Sequence, residues 1–306
     1  NLYSFCSDLI VEDTSEYNRI IREVFLEAKN EEHSFLSILV LINLLRNVKI
    51  ADQEKNDLFF NFINLISGYD SQIILVSSMW SLYFWFKNSW EYASPYITEQ
   101  FVIMISENIQ HSELEVIVKI SLYIYSYLWA VLDDVKKSYV EKNFPLELIL
   151  SMIRSDVEDI AKLSLVNINN FICEKESNCS EFLSMDGFDK VLETMTSGST
   201  KVKIEAGFVI TTALDFIPIE SLENYLTANL VQILCEICMI DGTEDFQLII
   251  RILNFFCKIL PDYSWIISTF EETGFLGELQ SLDKSYLDEI ITLFDETVRQ
   301  ITSQAI

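Results

Sequence analysis

Glycine and proline are scarce, at 7 and 4 of 306 residues. Sheet and α/β proteins place both at their many turns, so the shortage excludes them and leaves long helices joined by short connections. Histidine is scarcer still. His33 and His111 stand alone, and two histidines set so far apart make no acid–base centre. There is no glycine-rich phosphate loop, HExxH, GxSxG or cysteine–histidine pairing. These absences argue against an enzyme, and no cofactor is expected. No secretory or transit segment is visible. The chain starts at Asn1 rather than at Met, and a further N-terminal tail is expected. The longest uncharged stretch, Ser71 to Phe86, is 16 residues and holds four serines. A membrane span needs about 20 apolar residues, so the stretch reads as a buried helix and no span is expected.

The six cysteines (Cys6, Cys173, Cys179, Cys235, Cys238, Cys257) lack a disulfide framework spacing. That suits a reducing compartment, the cytoplasm, the nucleus or both. Cys235 and Cys238 form a CxxC inside the apolar run NLVQILCEICMI at 229–240, with no second pair at zinc spacing. They read as buried helix residues, and no metal is expected. Basic residues number 21 against 47 acidic, a formal net charge of −26. Such a chain repels phosphate backbones, which excludes nucleic acid. It favours basic partners, and it also keeps an apolar-rich surface from associating. The acidic stretches DVEDI (156–160) and DGTED (241–245) fall between helices, where solvated caps rather than calcium loops are expected.

What the chain does have is a recurring motif. SMWSLYFW (78–85), VKISLYIY (118–125) and AKLSLVNI (161–168) share a central Ser-Leu, at Ser81-Leu82, Ser121-Leu122 and Ser164-Leu165. Weaker copies are SILVLINL (37–44), AGFVITTA (206–213), LIIRILNF (248–255) and EIITLFDE (289–296). In this register the large apolar third residue is Leu39, Trp80, Ile120, Leu163, Phe208, Ile250 and Ile291, in steps of 41, 40, 43, 45, 42 and 41. A period near 40 to 45 belongs to stacked helical repeats. A shorter helix, a turn and one brief segment precede each motif helix, as at 97–113, 145–159, 188–202 and 230–245. The expectation is an all-α fold, a right-handed α-solenoid (superhelix) of about seven three-helix repeats, with 1–306 as a single domain. Apolar residues at i, i+3, i+4 and i+7 give each motif helix a stripe that only a neighbouring repeat can cover.

The sequence resembles the armadillo-repeat proteins, and within them the importin α (karyopherin α) family. The resemblance spans most of the chain and is carried by MWSLYF around Trp80, IEAGFVITTAL (204–214), MDGFDKVLETM and TANLVQILCEI. It implies that a ladder of Trp and Asn, four residues apart on successive third helices, grips an extended basic peptide in a concave groove. Carried over residue by residue, the groove candidates are Asn43, Trp80, Phe84, Asn167, Phe208 and Asn254. No repeat keeps both ladder members: Trp80 faces Phe84, while Asn43, Asn167 and Asn254 face Leu39, Leu163 and Ile250. The remaining pairs are Ile120/Ile124, Phe208/Thr212 and Ile291/Asp295. The basic segment by which that family engages its carrier is not found within these 306 residues.

Read without the family, Leu39, Trp80, Phe84, Ile120, Ile124, Leu163, Phe208 and Ile250 would form an apolar stripe. Such a stripe would dock an apolar or amphipathic segment of a protein partner, with acidic rims selecting basic flanks. Two functions fit. One is an import adapter carrying basic cargo segments. The other is an armadillo scaffold of a larger assembly that binds no nuclear-localisation signal.

Overall fold

The computed structural model describes residues 19, 23, 72–89, 97–240, 246–281 and 287–304. Leu39 and Asn43, with the first expected repeat, lie outside them, as do Cys6, His33 and the acidic stretch 241–245. Among the described residues all regular structure is helical. The chain divides into two compact units, Asn1–Pro145 and Leu146–Ile306.

In the first unit, α1 (Gln72–Ser89) and α3 (Glu115–Val131) are long and apolar. They pack on each other, and α2 (Glu99–His111) and α4 (Asp134–Lys142) pack on α3. Thr98 starts α2 by accepting from the Phe101 amide, and Asp133 starts α4 by accepting from that of Lys136. Each such cap is worth about 1 kcal/mol. A buried polar knot ties α2 and α3 to the end of α4. Ser106 Oγ and Tyr125 Oη lie 2.7 Å apart, and 2.7 and 3.0 Å from the Asn143 carbonyl oxygen, so that one hydroxyl donates to the other and the second donates to the carbonyl. The Tyr125 ring is fully buried, and burial pushes its phenol pKa up, so it stays a neutral donor.

In the second unit one or two shorter helices precede each long one. Here α5 (Leu146–Met152) and α6 (Glu158–Glu174) are followed by α7 (Glu176–Ser184), α8 (Gly187–Ser197) and α9 (Thr200–Phe216). Next come a 3-10 turn (Ile219–Asn224), α10 (Ala228–Cys238) and α11 (Phe246–Ile259). The last triplet is α12 (Ile266–Thr273), α13 (Phe275–Ser281) and α14 (Asp288–Gln304). The long helices stack in series, α6 on α9, α9 on α11 and α11 on α14. Gly207 lets α9 and α11 approach closely, since a Cβ there would meet Leu248 Cδ2 at 3.0 Å. Gly274, at φ 71°, ends α12 in the left-handed conformation that costs other residues strain.

The C-terminal end of the stack closes on four phenylalanines, Phe256, Phe270, Phe275 and Phe294, one from each of the last four helices. All are fully buried, and every pair of rings lies 5.0 to 6.4 Å apart. Phe256→Ala is expected to cost about 3–5 kcal/mol and to lower the urea midpoint of the helical CD signal. Leu293→Ala, on the solvent side of α14 at 49 % exposure, is expected to leave that midpoint where it is. Equal effects of the two substitutions would refute this packing.

Candidate functional site

The Ser-Leu motif belongs to the core. Ser81, Leu82, Ser121, Leu122, Ser164 and Leu165 are all fully buried. What each long helix leaves partly open is a different strip. On α3 the half-exposed residues include Tyr123 and Tyr127, and on α6 Val166 and Asn170. On α9 the corresponding pair is Phe208, half-exposed, with Thr212 nearly buried. On α11 they are Ile250 and exposed Asn254, and on α14 Ile291 and Asp295. On α1 the half-exposed pair is Trp80 and Phe84. Each pair is four residues apart, so both members project from one side of their helix. Successive pairs stand 43, 43, 42, 42 and 41 residues apart, a more even step than that of the Ser-Leu register.

Several expectations are corrected by this phase. Ile120 and Ile124 are fully buried and Leu163 is 5 % exposed, so they carry no open apolar stripe. Asn167 is also fully buried, and its side-chain amide donates to the Leu163 carbonyl one turn back at 2.9 Å. It therefore faces the core and not a groove. Trp80, Phe84, Phe208 and Asn254 do reach solvent. Tyr123, Tyr127, Asn169, Asn170 and Arg251 were missed. Counting the strip three residues later on α3 and α6 finds Tyr123, Tyr127, Val166 and Asn170; Asn169 and Arg251 need inter-repeat contacts.

In the first unit the open strip is aromatic. Trp80 and Phe84 stack at 5.7 Å, and Tyr83 meets Trp80 at 5.5 Å, Phe84 at 5.1 Å, Tyr123 at 5.1 Å and Tyr127 at 5.9 Å. Tyr83 is buried in this cluster. Burial first, and then the Tyr127 and Tyr123 phenols, push its pKa up. Among the described residues no cation lies over these rings.

In the second unit each pair of the strip joins an apolar residue to a polar one, and neighbouring helices are cross-linked. Lys162 on α6 pairs with Glu205 on α9 at 3.4 Å. The Thr212 hydroxyl donates to Asn169 Oδ1 at 2.7 Å and accepts from Arg251 Nη1 at 3.0 Å. The Arg251 guanidinium also lies over the Phe208 ring, 5.6 Å from its centroid. A chain of contacts thus crosses three consecutive long helices.

Among the described residues no group of three or more His, Cys, Asp or Glu side chains is placed to hold a metal ion. No described helix is long and apolar enough to cross a membrane. Cys235 and Cys238 sit buried on α10, where burial pushes the Cys235 thiol up to about 12 and the Cys238 thiol well above its usual value. A depression of about 370 Å³ in the second unit is lined by Arg154, Glu158, Glu193 and neighbours. Arg154 there pairs with Glu193, and Glu158 with Lys201.

Comparison with solved structures places this geometry. A designed armadillo repeat protein superposes with a TM-score of 0.58 at 14 % identity, covering 82 % of this chain and 99 % of its own. A second, solved in complex with the peptide (KR)4, gives 0.60 at 14 % identity over 78 % and 98 %. Computationally designed armadillo repeat proteins for modular peptide recognition give 0.60 at 14 % over 77 % and 97 %. The fold is an armadillo-type helical-repeat solenoid. No family model and no curated protein matches the chain.

The armadillo stacking makes a testable statement about the thiols. At pH 8 a thiol reagent is expected to label exposed Cys173 in the folded protein and to spare Cys179, Cys235 and Cys238, all buried. Burial raises the Cys179 thiol to about 11, so little thiolate is present to react. Residue-resolved mass spectrometry checks this. Labelling of Cys235 at the rate of Cys173 in the folded protein would contradict the burial of α10.

Proposed function

We propose that this armadillo solenoid is a non-catalytic module that holds an extended segment of a partner protein against the open strip of its long helices. The observation that carries the reading is the partly open residue that recurs on six successive described long helices in steps of 41 to 43 residues, on five of them with an open partner one turn on. One peptide repeat unit can meet one helix, and the strip repeats to meet the next. The even step supports reading 1–306 as one continuous series of repeats. Designed relatives of the fold include one solved with a (KR)4 peptide, which supports a peptide as the class of ligand.

In the Asn1–Pro145 unit the strip favours basic residues. Trp80, Phe84, Tyr123 and Tyr127 offer half-exposed aromatic faces, and the stems of Lys and Arg lie well on such faces while the chain's acidic excess attracts their charge. Among the half-exposed pairs named above on the described long helices, none joins an aromatic to an Asn four residues on. That argues for a scaffold within a larger assembly over an import adapter reading nuclear-localisation signals.

The test is fluorescence anisotropy of a labelled peptide of alternating Lys and Arg, titrated with the protein at low and moderate salt. Saturable binding at moderate salt is expected, weakened at least about tenfold by Trp80→Ala combined with Tyr123→Ala, as for aromatic anchors elsewhere. Binding confined to low salt, or indifferent to those substitutions, would reduce the interaction to unspecific charge attraction and sink the proposal.

A further inference from the structure

We infer that the open strip of the Leu146–Ile306 unit selects an acidic side chain, Asp or Glu, of an extended partner segment, and that Arg251 is the residue that selects it. The inference rests on the peptide-binding reading and assigns a charge preference to one of its steps.

The aromatic face at that step is already taken from within the chain. Phe208 is the one aromatic of the open pairs on α6, α9, α11 and α14, and the Arg251 guanidinium covers its ring at 5.6 Å. A partner's Lys or Arg would have to displace a cation to reach the ring, and would meet like charge on approach. The guanidinium is also fixed in orientation. Its Nη1 donates to Thr212 Oγ1 at 3.0 Å, and the Thr212 proton is committed to Asn169 Oδ1 at 2.7 Å. Thr212 is 4 % exposed, so this support is shielded from water, whereas Arg251 itself is exposed.

The fork that remains is free to bind. Guanidinium carries five N–H donors, and Arg251 uses one of them among the described residues. No described carboxylate comes within the 4.0 Å of an ion pair with it. Glu205, on the neighbouring helix, is engaged by Lys162 at 3.4 Å, and Asp215 forms no pair with Arg251. A planar fork held on two sides loses little freedom when a carboxylate docks on it, and carboxylate–guanidinium geometry permits two parallel bonds. Charge complementarity therefore names the occupant. The whole chain is acidic, yet this step presents a preorganised cation.

The experiment is a positional-scanning library of labelled extended dodecapeptides, each position in turn fixed as Glu, Gln or Lys, titrated against the full chain. Wild type is expected to bind the Glu-fixed pool about tenfold tighter than the Lys-fixed pool at one position, the scale of a charge-assisted pair. Arg251→Glu is expected to reverse that preference at the same position, and Arg251→Gln to flatten it. Both variants are expected to retain the wild-type CD spectrum, because the side chain is exposed. An unchanged Glu preference in Arg251→Glu, or no position preferring Glu in wild type, overturns the inference and leaves peptide binding standing. An absence of saturable binding by every pool overturns the peptide-binding reading and this inference with it.

Discussion

Everything at the open strip depends on one packing constraint: a long helix flanked by long helices on two sides can show solvent only a narrow file of residues. A lone triplet cannot bury its apolar positions, so α9 is clamped between α6 and α11, and α11 between α9 and α14. Within what is left over, residues i and i+4 project together, because one helical turn separates them. The identity of those side chains is unconstrained by folding. Their position is not. That division lets the repeat stay constant while the surface it offers changes from aromatic at Tyr123 and Tyr127 to polar at Asn170 and Asn254.

The same constraint explains which parts of the sequence were legible. The period, the all-helical class and the core were readable because they follow from apolar spacing, and the structure bears out the helical repeats. The phase of the open file on α3 and α6 was not readable from the Ser-Leu motif. That motif is repeated because small Ser121 and Ser164 and apolar Leu122 and Leu165 are packed between helices, so aligning on it tracks the buried face. Three residues on a helix turn the direction by some 60° from a full circle, enough to move Ile120 and Asn167 into the core and Tyr123 and Asn170 out of it. Helix α3 hides the error well, since only Glu115 and Lys119 are charged along its length. Spacing of the half-polar residues, Tyr123 with Tyr127 and Val166 with Asn170, carries the better signal.

Contacts between repeats were beyond sequence reasoning altogether. Phe208 and Arg251 are 43 residues apart, as are Asn169 and Thr212, and Lys162 and Glu205. Each pair is one repeat apart, so the period could have suggested proximity. It could not have said that Thr212 would stand between Asn169 and Arg251, accepting from one side and donating to the other. That arrangement needs the close α9–α11 approach that Gly207 allows.

Net charge is the least local of the quantities read from the sequence, and the strip shows why it misleads. A balance of −26 sets the long-range field and the rate at which basic segments arrive. It says nothing about the few ångströms over Phe208, where an arginine of the chain itself lies. At that range the Coulomb energy of one fixed cation in direct contact outweighs screened charges a Debye length or about 10 Å away. Specificity along a repeat array is accordingly set step by step, by whichever side chain the packing leaves on the open file. A chain with a strong overall charge can still hold a step of the opposite sign, provided its own neighbours, here Thr212 and Phe208, hold that side chain in place.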